Sequence, residues 1–590
     1  MNVLILLAAA AGSPTLEPVV VTATRTEVPA SDVLASVDLI PRGELLRMPA
    51  ADLADALRFV PGVEVARLGG PGQQTSLFLR GTESNHVLVL VDGLRMNPGT
   101  IGTAAIQNVA PGFVERIEVV KGPRSTLYGS DAIGGVINIV TRRGAAQADS
   151  VQAGYGDYGT RSASFSAGIG DERAEASIAA SWLDSTGFPT RSGDDTDRGY
   201  ENTSFTAFAR TGAGAVDLSL SAWHAAGTSE YSDFFVTPVD QDFENSALAL
   251  AAEFAPSGDW SSKLTVAHAV DDLEQNQSND YLDTDRNTVD WQNDFALSPA
   301  QTLTAGVLWQ DEEAEAESFG APYAADTATS QLYLQDQARF GPHRLLLGAA
   351  YTDHETFGGH ATWNAEYGLA FGEGSLVTVA AGTAFRAPDA TDLYGSGGNP
   401  DLDPEESGSV ELGWRQAIDE RQSFSLTAFR NDIDELIEFV VTDPVTFDGE
   451  NRNVAKARIE GVEAAWQYRG ERWVARAAAT WQDPRDRTTD ARLLRRAREN
   501  YTAAVARHFG DGHEIAIDLL YAGERRDFGF PAPVVLPAYW LANLSAKVAL
   551  GERFTLVARM ENLFDEDYEL ASGFNTMGRS LFGALRYEFR

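Results

Sequence analysis

Asp194, Asp195 and Asp197 crowd into four positions of the chain. Carboxylates this close are hard oxygen ligands and repel one another unless a cation such as calcium sits among them. A solvated acidic loop has the same composition, and the spacing is not that of an EF-hand. Other chemistry-bearing patterns are scarce. The chain has no cysteine, so it has no thiolate nucleophile, no cysteine-based metal site and no disulfide. No phosphate-binding glycine loop, no GxSxG elbow and no HExxH pair occurs. Asp and Glu pairs are many, but with 85 acidic residues against 46 basic they carry no weight as acid–base catalysts. No catalytic residue and no catalytic cofactor is therefore assigned, and the expectation is a protein that is not an enzyme.

The elements that must position these residues are read from composition and periodicity. The 590 residues allow two or more domains. Mean hydropathy is -0.21, and after residue 11 no run approaches the roughly 18 apolar residues of a spanning helix. A helical membrane protein is excluded; a β-barrel, whose strands alternate in polarity, is not. The net charge of -39 disfavours nucleic acid, which needs a basic surface. That charge is unevenly spread: residues 17–143 hold 12 basic and 13 acidic residues, and residues 144–590 hold 34 and 72. The apolar residues 1–11, with Ala9 and Ala11 as a small-residue cleavage pattern, read as a signal peptide, although no Lys or Arg precedes them.

Composition breaks near Gly144. Before it, residues 52–60 place Leu53, Ala56, Leu57 and Val60 at helical spacing, stopped by Pro61-Gly62. Residues 87–91 (VLVLV) read as a buried strand ended by the Asp92-Gly93 turn, with further strands at 116–121 and 136–141. This predicts a small α+β domain. After Gly144 the pattern becomes short alternating segments. Trp473, Ala475, Ala477, Ala479 and Trp481 share one face, and Leu581, Gly583, Leu585, Tyr587 and Phe589 share another. Acidic and glycine-rich stretches such as 192–202 and 276–287 are expected as loops. Any one segment suits a soluble sandwich. Together they fill residues 148–590 without a break, about 20 residues per strand and loop for 22 strands, which suits a plugged barrel.

Several motifs converge on one family. Residues 18–25 read PVVVTATR, residues 79–81 LRG, residues 86–97 HVLVLVDGLRMN, residues 115–143 ERIEVVKGPRSTLYGSDAIGGVINIVTRR and residues 561–568 ENLFDEDY. These resemble the TonB-dependent transporters of the outer membrane over nearly the whole chain. The resemblance implies an all-β transmembrane barrel of 22 antiparallel strands with an N-terminal α+β plug in its lumen. The domains it implies are a coupling segment at 17–25, a plug at 26–143 and a barrel at 148–590, surrounded by outer-membrane lipid and expected to be monomeric. Pro18, Val19, Val20, Val21, Thr22 and Ala23 would form the coupling box that binds TonB in the periplasm; an extended, β-branched segment can pair edge-on with a partner strand. Arg80, Arg116, Lys121 and Arg124 could pair with carboxylates of the barrel wall or with acids inside the plug. Arg590 follows the terminal aromatic Phe589, a departure from the family's usual ending.

Within that family the stretches at 69–97, 393–407, 460–464 and 493–499 are most similar to cobalamin receptors. The similarity implies ligand contacts from two outward apices: Gly69, Gly70, Gly72, Gln73 and Gln74 in one, Asn97, Gly99 and Thr103 in the other. It also implies calcium held by Asp194, Asp195, Asp197 and Asp233. Haem and siderophore uptake are the nearest alternatives. FRAP (385–388) and NPDL (399–402) resemble a haem-receptor pair, but residues 389–398 contain no His. A passive pore would need neither plug nor coupling box.

Overall fold

The computed structural model describes residues 20–21, 25–26, 28–29, 32–48, 52–144, 149–171, 173–233, 235–443, 448–510, 512–529 and 532–589. The expected signal peptide, Pro18, Val19, Thr22, Ala23 and Arg590 lie outside them.

Twenty-two antiparallel strands, from Ser150–Gly156 to Ser580–Glu588, form a closed barrel. The first and last strands pair in register from Ser150↔Glu588 to Gly156↔Phe582, so the sheet has no edge. The Phe589 amide donates to the Asp149 carbonyl at 2.9 Å and extends the closure by one residue. Alternation sorts the side chains: in Ala321–Phe340, Leu332 and Leu334 face outward while Gln331, Tyr333 and Gln335 are buried in the lumen. Trp473 and Trp481 likewise face outward.

The expected loops at 192–202 and 276–287 are shorter than composition suggested. Strand Arg198–Ala213 begins inside the first and Tyr281–Ser298 inside the second. Above the lipid an outward face need not be apolar, so polar residues continue the hydrogen-bond ladder. Gln422–Asp443 runs for 22 residues, about twice what the bilayer requires. On that raised outer collar, carboxylates oppose one another directly across strands. One row is Glu244, Asp272, Asp283 and Glu315; another is Asp285, Glu313 and Asp326.

Inside the barrel sits a five-stranded sheet in the order Val37–Pro41, Val114–Lys121, Gly135–Thr141, Val87–Val91, Leu94–Arg95. Val87–Val91 runs parallel to Gly135–Thr141, so its apolar residues are covered on both faces. Asp92 (φ 53°) and Gly93 (φ 85°) make the two-residue turn into Leu94–Arg95, and the Asp92 carboxylate accepts from the Thr141 amide at 2.9 Å and hydroxyl at 2.6 Å. A short helix, Leu53–Leu57, is capped by Asp52, and a hairpin of Val63–Arg67 and Thr75–Leu79 projects from the sheet.

Three of the four candidate cations reach the wall. Arg80 bridges Glu411 (2.6 Å) and Glu463 (3.0 Å), and Lys121 joins the same Glu463 (3.0 Å) and plug Asp38 (2.7 Å). Arg124 meets Glu366 at 2.5 Å. Arg116 instead pairs within the plug, with Glu118 at 2.8 Å. His86, fully buried, lies 2.9 Å from wall Glu405. Replacing Glu463 with Ala is expected to lower plug stability by about 3 kcal/mol, the low end for a broken buried pair because each cation keeps one other partner. Urea unfolding read from a plug-borne fluorophore measures this. An unmoved midpoint would show that the plug is seated by other contacts.

Candidate functional site

The two predicted apices stand side by side at the mouth formed by the long-loop ends of the strands. The first is the hairpin turn 68–74, closed by the Leu68 amide donating to the Gln74 carbonyl at 3.1 Å. Gly72 has φ 76°, and a Cβ there would collide with the Tyr200 ring; a Cβ on Gly69 would meet Thr190. Glycine is thus what lets this turn tuck under the wall. Gln73 is buried and its amide donates to the Glu230 carbonyl at 2.8 Å, while Gln74 points into the open mouth. Arg67, paired with Asp52 at 2.7 Å, braces the hairpin from below.

The second apex, 97–108, is built round Asn97. That side chain accepts from the Val89 amide (2.8 Å) and donates to the carbonyls of Val87 (3.0 Å) and Gly102 (2.8 Å). Fully buried, Asn97 sets the loop's shape and offers no free amide. Arg286 of the wall donates to the Asn97 carbonyl at 2.6 Å and pairs with Glu312. The Ala390 and Thr391 amides donate to the carbonyls of Gly99 and Thr100, both at 2.9 Å, and so dock the loop helix Ala390–Tyr394 on this apex. Tyr200 links the two apices: its ring covers Gly72, and its hydroxyl lies 3.3 Å from both the Gln107 carbonyl and Asn108 Oδ1. Gly70 is buried against Phe188, and Thr103 is half-buried at the mouth.

The aspartates are not gathered. Asp194 pairs with Arg198 at 2.7 Å and accepts from the Ser232 hydroxyl. Asp233 is taken up by its own turn, accepting from the amides of Phe235 (2.8 Å) and Thr237 (2.7 Å). Asp195 and Asp197 are exposed on the rim. Among the described residues no three carboxylate or imidazole groups converge in a metal-holding geometry.

Two further features were not anticipated from the sequence. The loop carrying Leu493 and Arg496 dips into the lumen: Arg496 pairs with plug Glu83 at 2.5 Å and lies 4.2 Å from the Phe78 ring centroid. Beside it, plug Glu64 accepts from the Ala497 amide at 2.6 Å and from the Gln482 amide group. Burial pushes the Glu64 carboxyl up to about 7, opposed by that Ala497 amide. At the other end of the lumen, Val20–Val21 pairs antiparallel with Val28–Pro29. Between them Arg25 meets wall Asp290 at 2.7 Å and lies against the rings of Tyr128 and Tyr333 (4.9 and 4.8 Å). A single arginine directly after a β-branched run was the only signal in the sequence. Its partner, one acid among many, carried none.

Comparison with known proteins agrees with this layout. The family model described as "TonB dependent receptor-like, beta-barrel" matches residues 177–563, and "TonB-dependent Receptor Plug Domain" matches residues 29–136. The vitamin B12 transporter BtuB of Vibrio vulnificus is 34% identical over 596 residues, covering 98% of this chain and 96% of that one. The protein of the same name from Photobacterium profundum is 30% identical over 598 residues, covering 98% and 97%. Among solved structures, the ferripyoverdine receptor of Pseudomonas aeruginosa superposes with a TM-score of 0.82 at 15% identity, covering 98% of this chain and 89% of that one. The siderophore receptor PirA of Acinetobacter baumannii gives 0.80 at 18%, covering 94% and 98%. At those identities the superpositions show the fold alone.

The clasp on Arg25 generates a prediction. A nitroxide on Val20→Cys, in a chain with no other cysteine, reports the motion of the segment just before it. Adding Asp290→Asn should convert a largely immobile spectrum into a mobile one, and Tyr333→Phe should do so less. Identical spectra in all three backgrounds would mean that Arg25 does not hold the segment.

Proposed function

This chain belongs to the TonB-dependent receptor family, and from that premise we propose that it imports cobalamin across the outer membrane. The barrel is an outer-membrane transporter, and no bond is made or broken by it. The ligand settles on the two apices from outside. The segment at residues 18–23 then becomes available to TonB, which pulls on it and loosens the plug.

The observation that carries the ligand reading is the match to vitamin B12 transporters along nearly the full length of both chains. The site's chemistry supports it. At the apices the mouth offers backbone groups, Gln74 and Thr103, which suits a large solute bearing many amides. Calcium belongs to the same proposal: Asp195 and Asp197 stand ready on the rim, and Asp194 would join them by exchanging Arg198 for the cation.

The deciding measurement is equilibrium binding of cyanocobalamin to the detergent-solubilised protein, with and without calcium and with haem in parallel. Tight cobalamin binding without haem binding is expected, and haem or siderophore binding in its place would overturn the ligand assignment. Changing Asp194, Asp195 and Asp197 together to Asn should abolish any calcium dependence of that affinity; an affinity indifferent to calcium in the parent removes the metal from the proposal. Val20→Pro, which blocks strand pairing, should leave binding intact and stop uptake.

A further inference from the structure

The paired elements FRAP (385–388) and NPDL (399–402) flank the loop that carries the helix Ala390–Tyr394. Residues 389–398 between them contain no His, so iron ligation does not explain the pair. Arg386 of the first element is 1% exposed and stands among three carboxylates of the wall and its loop. It donates to Glu405 at 2.8 Å, to Asp389 at 2.6 Å and to Asp392. Plug Asn85, turned to present its oxygen, accepts from the same guanidinium at 2.8 Å. A planar fork of donors meets all four partners at once, which a lysine ammonium could not. Glu405 is also held from the plug side: His86 Nδ1 accepts from the Glu83 amide at 3.3 Å, which leaves Nε2 to donate to Glu405 at 2.9 Å.

The same carboxylates build the loop. Asp389 accepts from the Asp392 amide at 2.9 Å and Asp392 from the Asp389 amide at 3.2 Å, which closes the first turn of the helix. NPDL folds back on that helix, the Asn399 amide donating to the Asp392 carbonyl at 2.9 Å. The second apex rests directly on this assembly. Gly102, at φ 64°, lies so close that a Cβ there would stand 2.9 Å from Asp389 Oδ2. Gly99 and Thr100 accept the amides of Ala390 and Thr391, and the Gly102 carbonyl accepts from Asn97. One buried guanidinium thereby joins wall, loop helix and apex.

We propose that Arg386 is a positioning residue for ligand capture. It touches no ligand; by pinning the loop helix to Glu405 it fixes the height and tilt of the second apex. The backbone on either side of it is secured separately. The Phe385 carbonyl accepts from the plug Asp131 amide at 3.2 Å, and the Ala387 amide donates to the Ser130 hydroxyl at 3.0 Å. Loss of the Arg386 side chain therefore frees the loop helix without unseating the plug. Without the cation, Asp389, Asp392 and Glu405 are left as uncompensated charges, and the loop helix moves toward water, carrying Gly99, Thr100 and Gly102 with it. An apex in its binding position only about a tenth of the time costs about tenfold in affinity. The assignment rests on the reading of the two apices as the ligand face.

The test uses the full-length protein in detergent and two variants. Arg386→Met removes the cation. A triple variant, Arg386→Met with Asp389→Asn and Asp392→Asn, also removes the buried repulsion while asparagine keeps the capping oxygen, so it folds even if the single variant does not. Both should bind cyanocobalamin about tenfold more weakly, through slower association with dissociation unchanged, because the contacts made once bound are those of the parent. Arg430→Met, which removes an outward-facing arginine of Gln422–Asp443, should bind as the parent does. A nitroxide on Thr103→Cys, read without ligand, should pass from an immobile to a mobile spectrum in both variants.

Parental affinity in the triple variant, or an immobile nitroxide in it, overturns the positioning role. Faster dissociation with unchanged association overturns it too, since Arg386 would then belong to the ligand face itself. If the parent binds no cyanocobalamin, the ligand assignment fails instead, and the Thr103→Cys spectra still decide whether Arg386 holds the apex.

Discussion

Hydrocarbon offers no hydrogen-bond partner to a backbone amide or carbonyl, and that one deficit dictates the architecture. A chain that crosses the membrane in strands must close its sheet, which is why Ser150 meets Glu588 across the seam. Closing 22 strands leaves a lumen too wide for side chains to fill. A second, separately folded unit has to occupy it. Its attachment combines local apolar contacts, such as Leu127 on Leu308 and Leu34 on Leu346 and Leu376, with buried ion pairs.

Buried ion pairs suit such an attachment because their energetics are lopsided. Forming one gains little over an apolar contact of the same shape, whereas breaking one by removal of a partner is costly. Arg80 and Lys121 converge on a single glutamate, so one wall residue holds two plug elements at once. The coupling end repeats the device at smaller scale, with Arg25 between a carboxylate and two tyrosine rings.

Much of the fold could be read from residues because the barrel and plug obey simple periodicities. VLVLV announced a doubly covered strand, and Asp92-Gly93 announced its turn. Strand ends in the outer collar could not be read, because acidic sequence there looks like loop while its backbone continues the ladder. Of the site, the glycines of the first apex were legible as backbone devices, but Asn97 was not. Its amide looked available to a ligand, and only the three-dimensional placement of Val87, Val89 and Gly102 shows it engaged. The wall partners of Arg80 and Arg124 were equally hidden, since choosing one acid among 72 needs the register of every strand. Arg116, with the same sequence signature, turned inward to Glu118.

The opposed carboxylates of the outer collar sit on the same outward faces as the lipid-contacting Val266 and Val307, a few residues higher. Like charges directly across a strand pair cost some stability. Their fixed charge also sets up a Donnan-like imbalance in the water around the mouth, concentrating cations and depleting anions over about 8 Å at physiological ionic strength. A neutral solute crosses such a zone without penalty, while a multiply charged anion is thinned out before it reaches the apices. The rim thus sieves by charge ahead of any contact with the plug.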